Sequence, residues 1–581
     1  MVLRSIQRNL VGHFAGGYHR WIKKYDTLSA TDRQTMVEQA LQFAYQPVIS
    51  VVIPVYKPNP SFFTAAIQSV LKQIYPKWEL ILVEDASQEG TSKKIMADFA
   101  KQDARIKPIF LEKNLGISGA TNAGIKIAQG EFIAFVDHDD LLAENALYEL
   151  IKALNEEPAD ILYSDSDHAN AKNQRSDPSF KPDWDPYLLL FQHYMCHLFV
   201  ARKSLIDEVG GLRSAFNGSQ DWDLALRLTE KTTRICHIPK ILYHWRRLVG
   251  GSFSQKHYEK TKEVARHAIS EHLSRRGIAA EVKNSDQMSY PDVIFQLPET
   301  LPLISVIIPT KDGLEMLEPC IKSILAQAKQ AHFEILIVNN NSEKQETLDY
   351  FKAIASEQIQ ILDYPHPFNF AAINNFAVKQ ARGEVLLFLN NDIEAISEGW
   401  MESMLSLLLQ KDVGIVGAKL YYPNLKIQHA GMVLEGNGNA IHVHAGLDKS
   451  AQGYFSRLHH IQCFSAVTGA CLMIKKALFD QVGGFDEVRF PITFNDVDLC
   501  IKVREAGFRI LFDPYAELYH KESATRGHDT TPEKRARALK EAQAFCNKWG
   551  DKIKLDPFYN PNLSFVLPGY RLAFPPAGIL E

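Results

Sequence analysis

The sequence lacks long apolar runs, a cysteine framework and a strong net charge. No apolar run among its 581 residues approaches the roughly 18 that a membrane-spanning helix needs. The seven cysteines are odd in number and scattered without a C-x-x-C pair, which argues against a disulfide framework or a zinc site and favours a reducing cytosol. The net charge of −4 gives no general attraction to nucleic acid. These absences predict a cytoplasmic protein of several globular domains, with no secretory signal.

Signatures of several common enzyme classes are also missing. There is no Walker P-loop and no G-x-S-x-G elbow. The run from Gly436 to Gly438 is too short for a dinucleotide fingerprint, which disfavours a dehydrogenase. A nucleotidyltransferase would share the placement of a nucleotide on a sheet, but its glycine- and arginine-rich N-terminal signature is absent.

The first 25 residues are basic and carry apolar residues near helical spacing. Their positive side chains, which no acid accompanies, are Arg4, Arg8, Arg20, Lys23 and Lys24. A basic amphipathic helix can lie on the inner face of the cytoplasmic membrane. It can equally pack on the first domain with its basic face in water, and a transit peptide is a third interpretation. Residues 1–45 are therefore predicted to be a basic amphipathic helical region.

An acidic stretch follows an apolar run at residues 132–136. Such a run is typical of a buried strand in a parallel sheet, so the chain must surface at Asp137. Asp137 and Asp139 are two residues apart and point to the same side of an extended chain. Two carboxylates on one side suit Mg²⁺ or Mn²⁺. The alternative is a solvated turn, which is the commoner explanation of a single D-x-D pattern.

The second half of the chain repeats motifs of the first half in the same order. The strand patterns 48–55 and 78–85 return at 303–310 and 333–340. The stretch 135–139 returns at 388–392, 220–224 returns at 495–499, and 243–244 returns at 519–520. Matches of this length indicate a duplicated domain rather than a solenoid. The predicted parts are domain 1 at 46–290, a linker at 291–302, domain 2 at 303–530 and a C-terminal helix and tail at 531–581.

Five polar residues of the first half follow separate strands or begin a helix, as α/β sites do. Asp85 could accept a hydrogen bond from a nucleobase N–H. Asp139 and His244 could hold a metal that neutralises a diphosphate, although His244 could equally be a core histidine beside Trp245. Asp221 could be a general base, or the cap of the helix that its sequence predicts.

Taken in order, the motifs resemble family 2 glycosyltransferases of the GT-A fold. The matching segments are 51–56, 69–73, 83–87, 114–118, 135–140, 220–223 and 243–246 in the first half, and 306–309, 387–392, 494–499 and His520 in the second. The resemblance is to the rhamnosyltransferase-like branch that builds O-antigen and other bacterial surface polysaccharides. It covers about residues 46–530. It implies two tandem α/β GT-A domains, each a mostly parallel sheet flanked by helices, with helical extensions at both ends.

The resemblance also implies roles for individual residues. Those that bind the nucleotide-sugar would be Pro54, Tyr56, Asp85, Asp137, Pro309, Asn340 and Asn390. The metal ligands would be Asp139, His244, Asp392 and His520. The bases that deprotonate the acceptor hydroxyl for an inverting displacement would be Asp221 and Asp496.

Domain 2 departs from the family pattern at two acids. Asn390 replaces the first acid of D-x-D, and Asn340 replaces the acid that reads the base. Because Asp392 remains and asparagine can both donate and accept, these changes favour a different donor specificity over loss of activity.

The expected function is therefore that of a bifunctional, metal-dependent glycosyltransferase. Each active domain would use one Mn²⁺ or Mg²⁺ and a nucleotide-sugar donor. The acceptor would be a glycan or lipid-linked oligosaccharide, with peripheral membrane contact through residues 1–25 and no nucleic-acid partner. The alternative is that one domain is catalytic and the other is a glycan-binding or scaffolding module.

Overall fold

The chain forms two compact units. The computed structural model describes residues 17–87, 90–247, 258–285, 291–521 and 531–577, so residues 1–16 of the predicted basic segment lie outside the described residues. The first unit, domain 1, comprises Met1–Ile294 with Leu572–Glu581, and the second, domain 2, comprises Phe295–Arg571. The described helices include none that is both long enough and apolar enough to cross a membrane.

Domain 1 alternates strands and helices along the chain. Its helices are α1 (Gly17–Tyr25), α2 (Ala30–Gln42), α3 (Pro60–Leu71), α4 (Gly90–Gln102), α5 (Gly116–Ile127), α6 (Ala146–Glu156), α7 (Leu188–Phe191), α8 (Lys203–Glu208), α9 (Gln220–Thr229) and α10 (Tyr258–Arg275). Its strands are β1 (Ile49–Val55), β2 (Trp78–Glu84), β3 (Ile106–Phe110), β4 (Phe132–Phe135), β5 (Leu141–Leu142), β6 (Ile161–Ala169), β7 (Arg175–Ser179), β8 (Phe199–Arg202), β9 (Ile235–Arg246) and β10 (Ala280–Asn284). The first five residues of the predicted linker form a further strand, β11 (Pro291–Phe295), which pairs with β10.

Domain 2 repeats this alternation. Its helices are α11 (Leu314–Gln327), α12 (Gln345–Ile354), α13 (Phe370–Val378), α14 (Trp400–Leu408), α15 (Lys476–Gln481), α16 (Asn495–Glu505) and α17 (Pro532–Trp549). Its strands are β12 (Ile304–Thr310), β13 (Phe333–Asn339), β14 (Ile359–Asp363), β15 (Val385–Leu389), β16 (Ile393–Ala395), β17 (Val413–Tyr421), β18 (Ile427–His429), β19 (Met432–Leu434), β20 (Ala440–His442), β21 (Gln462–Cys463), β22 (Cys471–Lys475), β23 (Arg509–His520) and β24 (Leu563–Ser564). A last strand, β25 (Arg571–Leu572), pairs with β24.

The main sheets of the two domains have the same strand order. In domain 1 the order is β3-β2-β1-β4-β8-β6-β9-β5, with β7 beside β6. In domain 2 it is β14-β13-β12-β15-β22-β17-β23-β16, with β18 beside β17 and β21 beside β23. In domain 1, β1, β2, β3, β4, β6 and β9 run in one direction and β5, β7 and β8 run against them. The predicted class of two tandem α/β domains, each a mostly parallel sheet flanked by helices, is confirmed.

A buried polar contact explains why particular residues recur in both halves. In domain 1, Ser50 Oγ donates to Glu79 Oε1 and accepts from the N–H of Gly130 at 2.9 Å. A Cβ on Gly130 would lie 2.6 Å from the backbone nitrogen of Ser50, so only glycine fits. Domain 2 has the same contact between Ser305, Glu334 and Gly383.

Helix α1 packs on domain 1 through its apolar face. Tyr18 and Trp21 are buried, whereas Arg20, Lys23 and Lys24 are exposed. The Tyr18 hydroxyl donates to Asp167 Oδ2 at 2.6 Å, far along the chain. For residues 17–25, the structure therefore agrees with a helix that packs on the first domain and keeps its basic face in water.

Candidate active sites of the two domains

In domain 2, five of the residues predicted from the sequence line one cavity. The cavity has a volume of about 610 Å³, and the five are Pro309, Asn340, Asn390, Asp392 and His520. They meet because β12, β13 and β15 are parallel neighbours whose carboxyl ends share one edge of the sheet. Phe368 and Phe370 form an apolar part of the wall. A cleft with a few convergent polar groups is the usual form of a small-molecule site.

Asp392 and His520 converge inside this cavity. His520 Nε2 lies 3.2 Å from Asp392 Oδ1, and its Nδ1 lies 2.8 Å from Gln428 Oε1. Asp392 Oδ1 is buried and makes no hydrogen bond. Asn390 Nδ2 lies 3.3 Å from the same imidazole nitrogen. A buried carboxylate oxygen that makes no hydrogen bond, beside an oriented imidazole, fits a divalent cation, so the residues present are compatible with Mn²⁺ or Mg²⁺.

Asp496 stands in the first turn of α16, near the cavity. Its Oδ2 accepts a hydrogen bond from the N–H of Gly469 at 2.8 Å. The segment before the helix is held by the buried Glu541 of α17, whose Oε2 accepts from the N–H of Thr493 at 2.5 Å and from its hydroxyl at 2.6 Å.

The acids Asp221 and Asp496 both stand in the first turn of a helix, but neither caps it, because the N-cap residues are Ser219 and Phe494. The alternative interpretation of Asp221 as a helix cap is therefore wrong.

Asp85 and Asn340 occupy equivalent positions, but the side chain of Asp85 accepts a backbone hydrogen bond, whereas that of Asn340 donates two. Asp85 follows β2, is buried, and its Oδ1 accepts from the N–H of Leu115 at 2.6 Å. Asn340 follows β13, and its Nδ2 donates to the carbonyls of Tyr364 at 3.1 Å and His366 at 2.8 Å. The amide donors of Asn340 are therefore used within the protein. Its remaining polar side-chain atom is an acceptor oxygen, as in an aspartate.

The acidic stretch of domain 1 contains two exposed acids and one buried acid. Asp137 is 46% exposed, and Asp139 is 29% exposed. Partial enclosure, together with the nearby Asp139 and Asp221, raises the pKa of Asp137 to about 7. Asp140 is buried and accepts from the Tyr243 hydroxyl at 2.7 Å and from the N–H of Arg246 at 2.5 Å. Two neighbouring carboxylates, of which Asp137 has a raised pKa, are compatible with a bound cation, whereas Asp140 has a structural role.

Pro54 and Tyr56 lie at the carboxyl end of β1, as predicted. Pro54 pairs with Val83 in the register of β1 and β2 and is half-buried. Tyr56 is 46% exposed, so its ring is available to a ligand at this edge. Pro309 takes the equivalent place in β12, paired with Val338.

The structure does not support His244 as a metal ligand. Among the ion pairs of the described residues, His244 is joined to Asp167, with its Nδ1 2.6 Å from Oδ1, and not to Asp139. In the strand register, His244 lies opposite Leu141, whereas His520 lies opposite Ile393, which immediately follows Asp392. The residue of β9 that corresponds to His520 is therefore Trp245.

The correction has a simple cause. Side chains of a strand alternate between its two faces, so a shift of one residue exchanges the faces. Tyr243 and Trp245 both pack on His197, at ring separations of 4.9 and 5.1 Å. His244 lies between them in sequence and joins the buried network of Asp167, Arg175 and Tyr18. These contacts agree with the alternative interpretation, in which His244 is a core histidine.

Two neighbours of Asp221 and one of Asp137 are absent from the sequence-based predictions. Asp221 Oδ2 lies 3.7 Å from His193 Nε2 and 3.4 Å from Cys196 Sγ. His197 Nε2 lies 3.9 Å from Asp137 Oδ2. Burial lowers the pKa of His193, and it lowers that of His197 to about 4, so both rings are neutral at pH 7. The H-x-x-C-H spacing before an apolar strand was the available signal.

Comparison with known proteins identifies the family. The profile of Glycosyl transferase family 2 matches residues 50–210 and 305–481, together more than half of the chain. The chain belongs to glycosyl transferase family 2. The two matched segments fall in domain 1 and domain 2.

Three relatives illustrate the range of similarity. The uncharacterized protein y4gI of Sinorhizobium fredii (strain NBRC 101917 / NGR234) is 41% identical over 91% of this chain and 59% of its own length. The O-antigen biosynthesis protein RfbC of Myxococcus xanthus is 36% identical over 94% of this chain and 42% of its own. The chain thus spans about half the length of these two relatives. WfgD of Escherichia coli, a UDP-Glc:alpha-D-GlcNAc-diphosphoundecaprenol beta-1,3-glucosyltransferase, is 40% identical over 17% of this chain and 38% of its own.

Proposed function

We propose that the chain is a bifunctional inverting glycosyltransferase with one donor site in each domain. The observation that carries the proposal is the duplicated arrangement of acids at one edge of each sheet. Asp139 and Asp392 follow the equivalent strands β4 and β15, and Asp221 and Asp496 stand in the first turns of the equivalent helices α9 and α16. A metal-site acid and a separate base acid at one sheet edge suit transfer from a nucleotide-sugar, because one can hold a cation beside the diphosphate and the other can accept the acceptor proton.

The donor nucleotide would lie across the ends of the first two strands of each domain. Asp85 and Asn340 each present an acceptor oxygen there, which can take the N–H of a nucleobase. Pro54 and Tyr56 in domain 1, and Pro309 in domain 2, would flank the base. On this proposal the change from Asp85 to Asn340 does not by itself change the base edge that is read.

A divalent cation would sit beside the donor diphosphate in each domain. In domain 2 its ligands would be Asp392 and His520, with Asn390 beside them, and in domain 1 they would be Asp137 and Asp139. The cation neutralises the negative charge of the departing nucleoside diphosphate.

Asp221 and Asp496 would each accept the proton of an acceptor hydroxyl. As the proton leaves, the hydroxyl oxygen forms a bond to the anomeric carbon. The bond from that carbon to the diphosphate oxygen breaks, and the nucleoside diphosphate leaves with its electron pair. A single displacement of this kind inverts the anomeric configuration.

The acceptor would be a growing bacterial surface glycan, free or lipid-linked. The names of RfbC and WfgD, which refer to O-antigen biosynthesis and to a diphosphoundecaprenol acceptor, support this substrate class. None of the seven cysteines, all of which lie in the described part of the chain, forms a disulfide, which agrees with a reducing cytoplasmic location. Membrane contact through residues 1–25 remains part of the proposal for a lipid-linked acceptor.

Separate substitution of the two bases tests the proposal. The full-length chain is assayed with a panel of nucleotide-sugars and a lipid-linked oligosaccharide, with products identified by mass spectrometry. Asp221→Asn and Asp496→Asn should each abolish a different transfer, by a factor of about 10²–10⁴. If Asp496→Asn leaves every transfer unchanged, domain 2 is a binding or scaffolding module and only domain 1 is catalytic.

A further inference from the structure

Three side chains that could bind a metal ion meet in domain 1, and one of them is Asp221, the proposed catalytic base. The segment between α7 and β8 brings His193 and Cys196 to the first turn of α9. One donor atom each from His193, Cys196 and Asp221 lies within 4.8 Å of the other two. In the described part of the chain, no other set of three histidine, cysteine or acidic residues meets this spacing.

The imidazole of this cluster is oriented but makes no hydrogen bond. Both ring nitrogens of His193 are buried and have no hydrogen-bond partner. The ring stacks on Trp222 at a centroid separation of 5.9 Å and an angle of 10°. Trp222 is itself fixed, because its Nε1 donates to the carbonyl of Leu189 at 2.8 Å. A buried donor atom without a partner costs free energy, so a ligand that satisfies it is favoured.

The donor set is one nitrogen, one sulfur and one carboxylate oxygen. This combination suits Zn²⁺, whereas Mg²⁺ and Mn²⁺ prefer oxygen ligands. Three protein ligands leave the fourth tetrahedral position for water. We propose that domain 1 binds one Zn²⁺ ion through His193, Cys196 and Asp221, separately from the cation beside the donor diphosphate, and that this ion blocks Asp221 as a base.

Domain 2 lacks the cluster. Phe135 pairs with Phe199 in domain 1, and Phe388 pairs with Leu472 in domain 2, so the two loops can be aligned by counting back from these strands. The residues that replace His193, Cys196 and His197 are Ala466, Gly469 and Ala470. Asp496 accepts from the backbone N–H of Gly469, and a Cβ there would lie 3.3 Å from Asp496 Cβ. Zn²⁺ at this place would therefore inhibit transfer by domain 1 alone.

Coordination would exchange a proton for the metal ion. Burial, followed by the proximity of Asp221, raises the pKa of the Cys196 thiol well above its ordinary value. The metal ligand is the thiolate, so coordination by Cys196 removes the thiol proton. One proton per ion is therefore released on binding.

Cobalt spectroscopy on the full-length, chelator-treated protein tests the binding without measuring transfer. Co²⁺ should give one thiolate charge-transfer band, which Zn²⁺ abolishes by displacement. Cys196→Ser should remove the band, and His193→Gln should weaken Co²⁺ and Zn²⁺ binding at least about tenfold. Cys236→Ser, at the other half-buried cysteine of domain 1, is the matched control and should keep the band. The proposal is overturned if no thiolate band appears, or if Cys236→Ser removes it and Cys196→Ser does not.

The inhibitory part of the inference rests on the proposed function and has its own readout. Zn²⁺ added in the presence of Mn²⁺ should suppress the transfer that Asp221→Asn abolishes and spare the one that Asp496→Asn abolishes. Cys196→Ser should make the first transfer resistant to Zn²⁺. A thiolate band without selective inhibition would confirm the metal site and overturn the block of Asp221. A protein that transfers no sugar but shows the band would contradict the proposed function and leave the site intact.

Discussion

Asp221 and Asp496 begin equivalent helices, but their neighbours differ. Asp221 faces the side chains of His193 and Cys196, whereas Asp496 is held by a backbone N–H of Gly469. The buried contacts of Ser50, Glu79 and Gly130 are, by contrast, reproduced in domain 2. After duplication, the framework that positions the strands was kept, while the side chains around the base changed.

The residues around the proposed cation also differ between the two domains. Here it is domain 2 that has a histidine as a proposed ligand, and domain 1 that does not. Domain 2 places His520 3.2 Å from Asp392 inside a cavity. Domain 1 has Trp245 at the register position of His520 and has two acids, Asp137 and Asp139, in the D-x-D motif. On the proposed function, each domain thus combines one equivalent carboxylate, Asp139 or Asp392, with a second ligand that differs: Asp137 in domain 1 and His520 in domain 2.

Removal of the shared acid should have the largest effect. Asp139→Ala and Asp392→Ala each remove a carboxylate ligand of the proposed cation. Because a bound cation stabilises the charge of the transition state by several kcal/mol, each variant should lower the transfer rate of its own domain about 10³-fold. The measurement is the rate of each transfer at saturating Mn²⁺.

Asp140→Asn is the control in domain 1. Burial, followed by Asp137 and Asp139, raises the pKa of Asp140 well above its ordinary value, so a neutral amide should replace it with little loss of transfer. Equal losses from Asp139→Ala and Asp140→Asn would contradict the assignment.

Domain 1 should lose stability at alkaline pH through a histidine that domain 2 lacks. His237 is 1% exposed and lies 3.0 Å from both Asp165 and Asp183, at a register position that is Phe512 in domain 2. Burial opposes its charge, but Asp165 and Asp183 raise the pKa to about 9. Because the folded pKa exceeds the unfolded value of about 6.5, the stabilisation is complete below pH 6.5 and is lost as pH rises through 9, at most ~3 kcal/mol.

Hydrogen exchange of β9 peptides, corrected for the intrinsic pH dependence, measures this loss. His237→Gln should flatten the decline in protection between pH 6.5 and 9, whereas substitution of the exposed His19 by Gln should leave it unchanged. Protection of β9 that does not fall with pH in the unmodified protein would show that His237 does not contribute in this way.

Substitution of His520 in β23 should weaken Mn²⁺ binding, whereas substitution of His244 in β9 should not. His520→Ala in the Asp139→Ala background should weaken Mn²⁺ binding by domain 2 about 10- to 100-fold, because a ligand is lost. His244→Ala in the Asp392→Ala background should leave Mn²⁺ affinity of domain 1 unchanged and lower the thermal stability, because the buried Asp167 loses a partner. Calorimetric titration with Mn²⁺ measures the first quantity. A matching loss of affinity in the His244 variant would restore His244 as a ligand.

The smallest effect is expected from exchange of the base-reading residues. In Asp85→Asn, Oδ1 can keep the N–H of Leu115, and an NH₂ then replaces the second acceptor, so nucleoside diphosphate affinity should fall about tenfold. In Asn340→Asp, the carbonyls of Tyr364 and His366 lose their donors, while an acceptor for the base remains. That variant should retain affinity within a few-fold but show faster hydrogen exchange at residues 364–366. A change of base preference in either variant would show that the amide itself selects the donor.

Much of the fold could be predicted because the sequence pattern is local and repeated. The buried strand β4, predicted at 132–136, and the cap and proline that begin α17 at Thr531 and Pro532 follow from neighbouring residues. The sequence also predicts the helix at Asp221, although its cap is Ser219. Apolar runs and capping residues act over a few positions, so a single sequence reveals them.

The remaining site residues depend on contacts that sequence spacing does not encode. His244 and His520 align in sequence, but a register difference of one residue turns them to different faces. His193 and Cys196 reach Asp221 only because the loop before β8 returns to the start of α9. From the sequence, Asn340 suggests a change in donor specificity. In the structure, its amide N–H groups donate to the carbonyls of Tyr364 and His366, so only its oxygen is left for a base.

The central claim is that both domains bind a donor, and the stoichiometry of nucleoside diphosphate binding tests it most directly. The full-length chain is titrated calorimetrically with UDP, GDP and dTDP in the presence of Mn²⁺. The account predicts two sites per chain in total, one lost in Asp139→Ala and the other lost in Asp392→Ala. A single site per chain that Asp392→Ala leaves unchanged would contradict it.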